Sequence, residues 1–344
     1  MIKFFRKLRR GSLSRKRFPK YLLYAAGEIF LVVVGILIAL YLNNLNEIHN
    51  SQAKADILLE DVLNELNVNI ATIENEIDFF HKKDSVFWAV KQNRVTMQTY
   101  TDPSHPEFID MTTLFTQFQL TNDAYRLLIA NRENIPVGYK PIIKKLNALD
   151  SKLKARLDDF DAELLDAVKT NIKFYSDNYS WFSDDTAIGN EDYYNYMLED
   201  YGYKNKVYFF NGLAIRNHLG VALAYRSNAI NCYTEIATLL NKADVKPSFT
   251  YTDQQLQPFI GSYEALANTL NDSVFKSTCL PNKFKIYKEN EKLLSKIEGD
   301  SVGVEVIPFS KNQMVTQTRN FFTWSVIAND TIIESNSKIK YKRL

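Results

Sequence analysis

Residues 21–42, YLLYAAGEIFLVVVGILIALYL, decide how the rest of the chain is organised. Glu28 is the one charged side chain among them, and the stretch contains no proline. A helix of about 20 apolar residues crosses the hydrocarbon core of a bilayer. The stretch therefore predicts a transmembrane helix, and no other part of the sequence has a comparable run.

The two sides of this apolar stretch differ in charge. Residues 1–20 carry nine Lys and Arg and no acid, whereas acidic residues follow the stretch. Because positive flanks stay on the cytoplasmic side, we expect a cytoplasmic N-terminus with residues 43–344 on the other side of the membrane. The stretch ends in the large residues Leu40, Tyr41 and Leu42, which do not suit signal peptide cleavage. This pattern predicts an uncleaved signal anchor.

Two segments around the apolar stretch carry a family resemblance. IKFFRKLRR at residues 2–10 and YAAGEIFLVVVGILIALYLNNLNE at residues 24–47 resemble an uncharacterised family of Bacteroidota inner-membrane proteins. Its members often have Trp at the position of Leu45. The resemblance implies an inner-membrane location with residues 43–344 in the periplasm. That family is a domain of unknown function, so the resemblance implies no activity.

The charge of the chain is divided unevenly. The formal net charge is +2, but the first 20 residues carry nine positive charges and the remainder carries 33 basic and 40 acidic residues. A basic arm beside a span predicts contact with anionic lipid headgroups rather than with nucleic acid. The lipid bilayer is therefore the first expected partner. Cys232 and Cys279 would lie in an oxidising compartment, either paired or as two buried free thiols.

Three residues of the predicted span are candidates for interaction. Glu28 is an ionisable group within a span, which either bonds a partner helix or snorkels toward Lys20 at the inner headgroups. Gly35 and Ala39 are small residues four positions apart, a spacing that allows helices to approach closely. We therefore expect a protein partner or a homo-oligomer formed through the transmembrane helix.

The segment from residue 43 to 243 has the pattern of a helical bundle. Apolar residues at spacings of three and four predict long amphipathic helices. Their expected ranges are 44–93, about 107–133, about 140–182 and about 205–242. Short breaks with proline and glycine join them, as in an antiparallel bundle.

Tyrosines are concentrated between the third and fourth predicted helices. Residues 175–208 hold eight of the 20 tyrosines of the chain, together with several carboxylates. Aromatic residues are enriched at interfaces, so this segment is a possible binding surface. The alternative is that the rings cap the end of the bundle and the acids face water. The candidate residues are Tyr193, Tyr194, Tyr196, Tyr201 and Tyr203.

The chain changes character at residues 244–258, which we expect to be a linker. Nine short strand segments follow, which predict a small antiparallel β-barrel over residues 259–344. LQPFIGSY at 256–263 and IPFSKNQM at 307–314 resemble the lipocalin-like module appended to serine β-lactamase-like hydrolases. The hydrolase domain itself has no counterpart here. The complete prediction is a membrane-anchored α+β protein.

The sequence contains no recognisable catalytic or metal-binding motif. The four histidines are scattered, and no H-E-x-x-H, C-x-x-C, P-loop or G-x-G-x-x-G pattern occurs. We therefore predict no enzyme activity, no metal and no cofactor. The main hypothesis is a scaffold or interaction module; the alternatives are a periplasmic small-ligand sensor acting through a membrane partner and, more remotely, an orphan hydrolase.

Overall fold

A computed structural model describes residues 18–183, 190–242, 251–269, 276, 280–289, 292–328 and 330–344. The basic arm up to residue 17 and the first part of the expected linker lie outside these residues. Most of the strand expected at 273–278 and Cys279 also lie outside them. Cys232 is buried in a helix, and both alternatives for the two cysteines, a pair or two free thiols, stay predictions.

One helix, α1, runs without interruption from Phe18 to Lys91 over 74 residues. It has no Pro or Gly after Gly35, so nothing in its sequence stops it at the end of the apolar stretch. Nearly all of residues 22–50 are exposed, and buried positions begin at Ala55. Within the described residues, this is the one helix that is long and apolar enough to cross a membrane. The helix expected at 44–93 is confirmed and continues the apolar stretch.

The remaining helices pack with the second half of α1 into a bundle. Lys242 pairs with Glu60 and Asn211 bonds to Asp84, so the last long helix runs antiparallel to α1. The helices expected at about 140–182 and 205–242 are confirmed, and each contains a π-helical stretch, Leu149–Lys154 and Gly212–Leu219. The α-helices after α1 are α2 Met97–Thr101, α3 Asp123–Ala130, α4 Lys140–Ala148, α5 Ala155–Asn178, α6 Glu191–Glu199, α7 Tyr201–Asn211, α8 Gly220–Leu239 and α9 Asp253–Leu256.

The helix expected at about 107–133 is wrong over most of its length. The chain forms a 3-10 turn at Pro106–Phe108, has no regular structure over 114–122, and is α-helical only at α3. Side chains of α1 form hydrogen bonds with the backbone of this segment. Asn69 both donates to the Thr121 carbonyl (2.8 Å) and accepts from the Thr121 amide (3.0 Å). Because these bonds replace intrahelical ones, the apolar side chains reach the core without a helix.

Eight strands form a closed antiparallel barrel in which each pairs with the next and β8 returns to β1. Tyr263 of β1 lies opposite Phe284 on one side and Arg343 on the other, which closes the cylinder. Inward rings include Phe322 and Tyr341. The expected small antiparallel barrel is confirmed. Its strands are β1 Gly261–Ala265, β2 Lys283–Glu289, β3 Lys292–Ile297, β4 Val304–Pro308, β5 Gln313–Thr316, β6 Phe321–Ile327, β7 Asp330–Ser335 and β8 Lys340–Arg343.

The end of the expected linker is structured. Thr252 caps α9 through a capping box with Gln255, which satisfies the first amides of this short helix. Leu256 and Phe259 are buried in the apolar core of the barrel. Residues 252–259 therefore belong to the barrel as a segment that leads into β1.

The barrel is docked on the bundle through apolar and ionic contacts. Ile307, Val315 and Phe321 belong to the same apolar cluster as the bundle core. Arg226 of α8 is only 2% exposed. Its Nε donates to Glu74 of α1 (2.8 Å), and its Nη1 donates to Glu305 of β4 (2.9 Å). This ion network fixes the barrel against two helices.

Candidate functional site

The three candidates in the apolar stretch lie on the surface of α1. Glu28, Gly35 and Ala39 are all exposed. A Cβ atom at Gly35 would meet no atom within 4 Å, so this side of the helix has room for a neighbour. Their role in helix association is not tested by this structure and stays a prediction.

The five tyrosine candidates are divided by the fold. Tyr193, Tyr194, Tyr196 and Tyr203 are buried in the bundle core, whereas Tyr201 is 79% exposed. The five rings therefore do not form one exposed surface. The rings pack on one another, as Tyr196 does on Tyr203 at 5.7 Å between centroids, and close this end of the bundle.

The feature best suited to ligand binding is a cavity of about 480 Å³ between the bundle and the barrel, which we call the junction cavity. Ligand pockets in proteins have volumes of this order and often lie in the mouths of barrels. Its walls come from three parts of the chain: α1 (Asp84, Phe87, Trp88), the end of α7 with the π-helical stretch (Asn211, Ile215, Arg216), and the barrel with the segment before β2 (Leu280, Pro281, Phe284, Ser295, Ile297, Val304, Thr316, Thr318, Arg319, Asn320, Phe321, Phe322, Ser335, Asn336, Ser337).

One wall of the junction cavity is apolar and aromatic. Phe87 and Trp88 of α1 lie in contact, with ring centroids 5.3 Å apart. Phe284 and Phe322 of the barrel also line the cavity and are part of the barrel core. The cavity therefore reaches the interior of the barrel, and its aromatic walls offer contact to an apolar group.

Two arginines give the junction cavity positive charge. Arg216 is on the π-helical stretch, and Arg319 is in the turn between β5 and β6. Burial lowers the pKa of Arg319, and the nearby charge of Arg216 lowers it further. In the part of the chain that the structure describes, no carboxylate forms an ion pair with either guanidinium. Two adjacent guanidinium groups that form no ion pair favour an anion, which each can bind with two hydrogen bonds.

Arg319 has an unusual backbone conformation, and its side chain passes close to Gly220. Arg319 has a positive φ of 67°, which non-glycine residues adopt rarely. Its Nη1 lies 3.0 Å from the position that a Cβ at Gly220 would occupy. A larger residue at Gly220 would push the guanidinium, so the glycine provides the space through which Arg319 extends.

Asp84 is a buried carboxyl group in the wall of the junction cavity. It accepts from Asn336 Nδ2 (2.9 Å), and Asn211 Nδ2 lies 3.5 Å from its other oxygen. Burial raises the pKa of Asp84 to about 7, although these hydrogen bonds and the nearby charge of Arg216 oppose the rise. The group is therefore partly protonated at neutral pH, and its charge offsets the two arginines only in part.

Hydroxyl groups complete the polar side of the cavity. Thr316 and Thr318 lie 2.8 Å apart through their hydroxyls, and Ser335 and Ser337 form a similar pair. One hydroxyl of each pair also accepts from a backbone amide, Thr316 from Asn320 (3.1 Å) and Ser335 from Ile339 (3.1 Å). The junction cavity thus combines cations, hydroxyls and aromatic rings, which suits an anionic head on an apolar body. In the described residues, no group of three or more His, Cys, Asp or Glu could hold a metal ion.

Comparisons with protein families, with curated proteins and with solved structures found no match to this chain. A function for it is therefore inferred from the geometry of its own residues.

The sequence carried a weak signal for these residues that was missed. Asp84 occupies the apolar stripe of α1 between Phe80 and Phe87, at spacings of four and three. Arg226 stands in the same way between Leu223 and Ile230. A charged residue in an apolar stripe must be paired or functional when it is buried. Arg216 and Arg319 have no such signal, because only the folded chain brings them together.

Proposed function

We propose that this protein is a membrane-anchored binding protein for a small amphipathic anion, held in the junction cavity. Of the hypotheses drawn from the sequence, the proposal follows the small-ligand alternative and not the scaffold. The observation that carries it is the pair Arg216 and Arg319, which form no ion pair with a carboxylate among the described residues and line a cavity with aromatic walls. The anionic head would contact the guanidinium groups, and the apolar body would pack on Phe87 and Trp88.

Anchoring in the bacterial inner membrane is part of this proposal. It is supported by the exposed apolar stretch of α1 and by the basic arm that precedes it. The orientation with residues 43–344 in the periplasm rests on the charge bias and on the family resemblance. The resemblance to a lipocalin-like module adds support, since barrels of eight strands can hold one small ligand.

Ligand binding would act on the anchor directly, because α1 both lines the junction cavity and forms the apolar stretch. A ligand can shift an equilibrium only if it binds two conformations with different affinity. Asp84 and Trp88 are the positions of α1 at which such a difference would arise. A partner helix that contacts Glu28, Gly35 and Ala39 would then sense the conformational change of α1 within the membrane.

A binding titration on the full chain in detergent micelles tests the proposal. The probe is 1-naphthylacetate, and the neutral 1-naphthylacetamide has nearly the same shape. We expect calorimetry to show the amide binding about tenfold more weakly, because it lacks the charge-assisted bonds. The double variant Arg216→Gln/Arg319→Gln should bind the two compounds equally.

The matched control is Arg126→Gln/Arg132→Gln, which removes two exposed arginines outside the cavity. It should bind the acid like the unaltered protein. Equal affinity of the unaltered protein for acid and amide would contradict the proposal. Retention of the preference in the Arg216→Gln/Arg319→Gln variant would do the same.

A further inference from the structure

Arg216 and Arg319 of the junction cavity lie side by side on one helix. Arg216 and Gly220 are four residues apart in the unbroken helical run of the π-helical stretch and α8, a spacing that leaves Cβ atoms about 5–6 Å apart. The side chain of Arg319 lies over Gly220, with its Cδ 3.1 Å and its Nη1 3.0 Å from the position of a Cβ atom there. The guanidinium of Arg319 thus takes the place of a side chain at Gly220, next to Arg216.

This arginine pair dominates the charge of the junction cavity. Among the described side chains that line it, three are charged: Arg216, Arg319 and Asp84. Burial, and after it the charge of Arg216, lowers the pKa of Arg319, as expected for two cations held close together. Asp84 has a pKa of about 7 and is therefore partly protonated at neutral pH. The three groups together carry between one and two positive charges, and two when Asp84 is protonated.

The presence of two guanidinium groups determines which shape of anionic head fits best. Each guanidinium offers a planar fork of donors that pairs with two oxygen atoms of an acid. A carboxylate has only two oxygens, and one fork engages both of them. A phosphate monoester has three terminal oxygens, so a second fork can engage another pair that shares one oxygen with the first. Its charge of about −1.5 to −2 at neutral pH also matches the charge of the cavity.

We propose that the ligand of the junction cavity is a phosphate monoester with an apolar body, bound as the dianion. This rests on the proposed function, because it specifies the head of the same amphipathic anion. Arg216 and Arg319 each donate to two phosphate oxygens, and the body packs on Phe87 and Trp88. A ligand with a single negative charge binds in the same place with lower affinity. Only binding is proposed, and the ester bond stays intact.

Three ligands of known charge test the head group by calorimetry on the full chain in detergent micelles at pH 7. 1-Naphthyl phosphate is mostly a dianion at this pH, since the second pKa of a phosphate monoester is about 6. 1-Naphthyl sulfate has nearly the same shape but one negative charge, and we expect it to bind about tenfold more weakly. Inorganic phosphate, which lacks an apolar body, should also bind at least about tenfold more weakly than the phosphate ester.

Single variants test whether both arginines hold the phosphate. Arg216→Gln and Arg319→Gln should each weaken binding of 1-naphthyl phosphate about tenfold, because one fork of donors is lost. Each should also reduce the preference for the phosphate over the sulfate to about threefold or less. The control Arg126→Gln/Arg132→Gln, which changes two exposed residues outside the cavity, should keep the full preference.

Asp84→Asn provides a second measurement, which a change of shape alone would not affect in the same way. At pH 8 the carboxyl of Asp84 is mostly ionised and repels an anion, so its loss should strengthen binding of both esters. The repulsion is proportional to the charge of the ligand. The phosphate should therefore gain about the square of the factor that the sulfate gains. Asp166→Asn, at an exposed position of α5, should change neither affinity.

Equal affinity of the unaltered protein for the two esters would overturn the dianion and leave the proposed function standing. A full preference for the phosphate in either single arginine variant would also overturn it, as would an equal gain of both esters in Asp84→Asn. Inorganic phosphate that binds as tightly as the phosphate ester would overturn the apolar body. Absence of binding by both esters, together with no preference for 1-naphthylacetate over its amide, would overturn the proposed function as well.

Discussion

Asp84 shows how one side chain links burial to pH. Its folded pKa is raised to about 7, while in the unfolded chain a carboxyl of this kind has a value near 3.8. Between these values the folded protein holds a proton that the unfolded chain has released. The free energy of unfolding should therefore fall as pH rises from about 4 to about 7, by at most about 1.4 kcal/mol per pH unit, and level off above 7.

Asp84→Asn should remove this pH dependence, because the amide keeps an oxygen for Asn336 and does not titrate. Urea unfolding at pH 4.5, 6 and 7.5 measures the effect as the difference between variant and unaltered protein. That difference should grow in favour of the variant as pH rises. Asp166→Asn, at an exposed position, should give a constant difference. A constant difference for Asp84→Asn as well would show that the carboxyl does not titrate in this range.

Residues of this kind also mark the limit of inference from sequence. The apolar stripes of α1 and α5 are long and regular, so helix type and length followed from spacing alone. The run of short strand segments over residues 259–344 similarly indicated the barrel. The junction cavity could not be inferred, because Asp84, Arg216 and Arg319 come from three elements far apart in the chain. Their proximity depends on how the barrel docks, which no local pattern encodes.

At the scale of elements, the segment between Pro106 and α3 depends on side chains of its neighbours. Asn69→Ala would remove the bonds to the Thr121 amide and carbonyl and to the buried Tyr225 hydroxyl, at a cost of about 1–3 kcal/mol in the free energy of unfolding. Hydrogen exchange should become faster over residues 114–122. Asn75→Ala, at an exposed position of the same helix, should leave exchange there unchanged. Equal exchange in both variants would mean that Asn69 does not hold the segment.

The apolar stretch of α1 is the element on which association is predicted. If Glu28 bonds a partner helix, Glu28→Gln should weaken cross-linking of the full chain in membranes, because a charged acceptor is lost from a low-dielectric site. Gly35→Leu should act in the same direction by blocking close approach. Ile38→Leu is a control that keeps apolar volume. Unchanged cross-linked species in both test variants would leave Glu28 as a tolerated polar residue.

For the whole molecule, the bundle and the barrel should unfold together, since they share an apolar cluster and the Arg226 network. Arg226→Ala leaves Glu74 and Glu305 in a largely buried site without their counterion, and removing one partner of such a network costs about 3–5 kcal/mol. We expect a lower midpoint of urea unfolding. The transitions followed by circular dichroism and by tryptophan fluorescence should no longer coincide.

Arg226→Met combined with Glu74→Gln and Glu305→Gln removes all three charges and should recover much of the loss, because no buried charge is left uncompensated. Arg132→Gln, at an exposed position, serves as the control. Coincident transitions with an unchanged midpoint in Arg226→Ala would show that the apolar contacts alone hold the barrel on the bundle.

The uninterrupted length of α1 holds the junction cavity at a distance from the lipid surface. Asp84 lies 42 residues beyond Leu42, which is about 60 Å along a helix axis, and about 50 Å of height at the steepest tilts that spanning helices adopt. Once the apolar stretch is in a bilayer, a molecule dissolved in the leaflet cannot diffuse sideways into the junction cavity. The anion would have to arrive through water, so its apolar body must be small enough to leave it soluble.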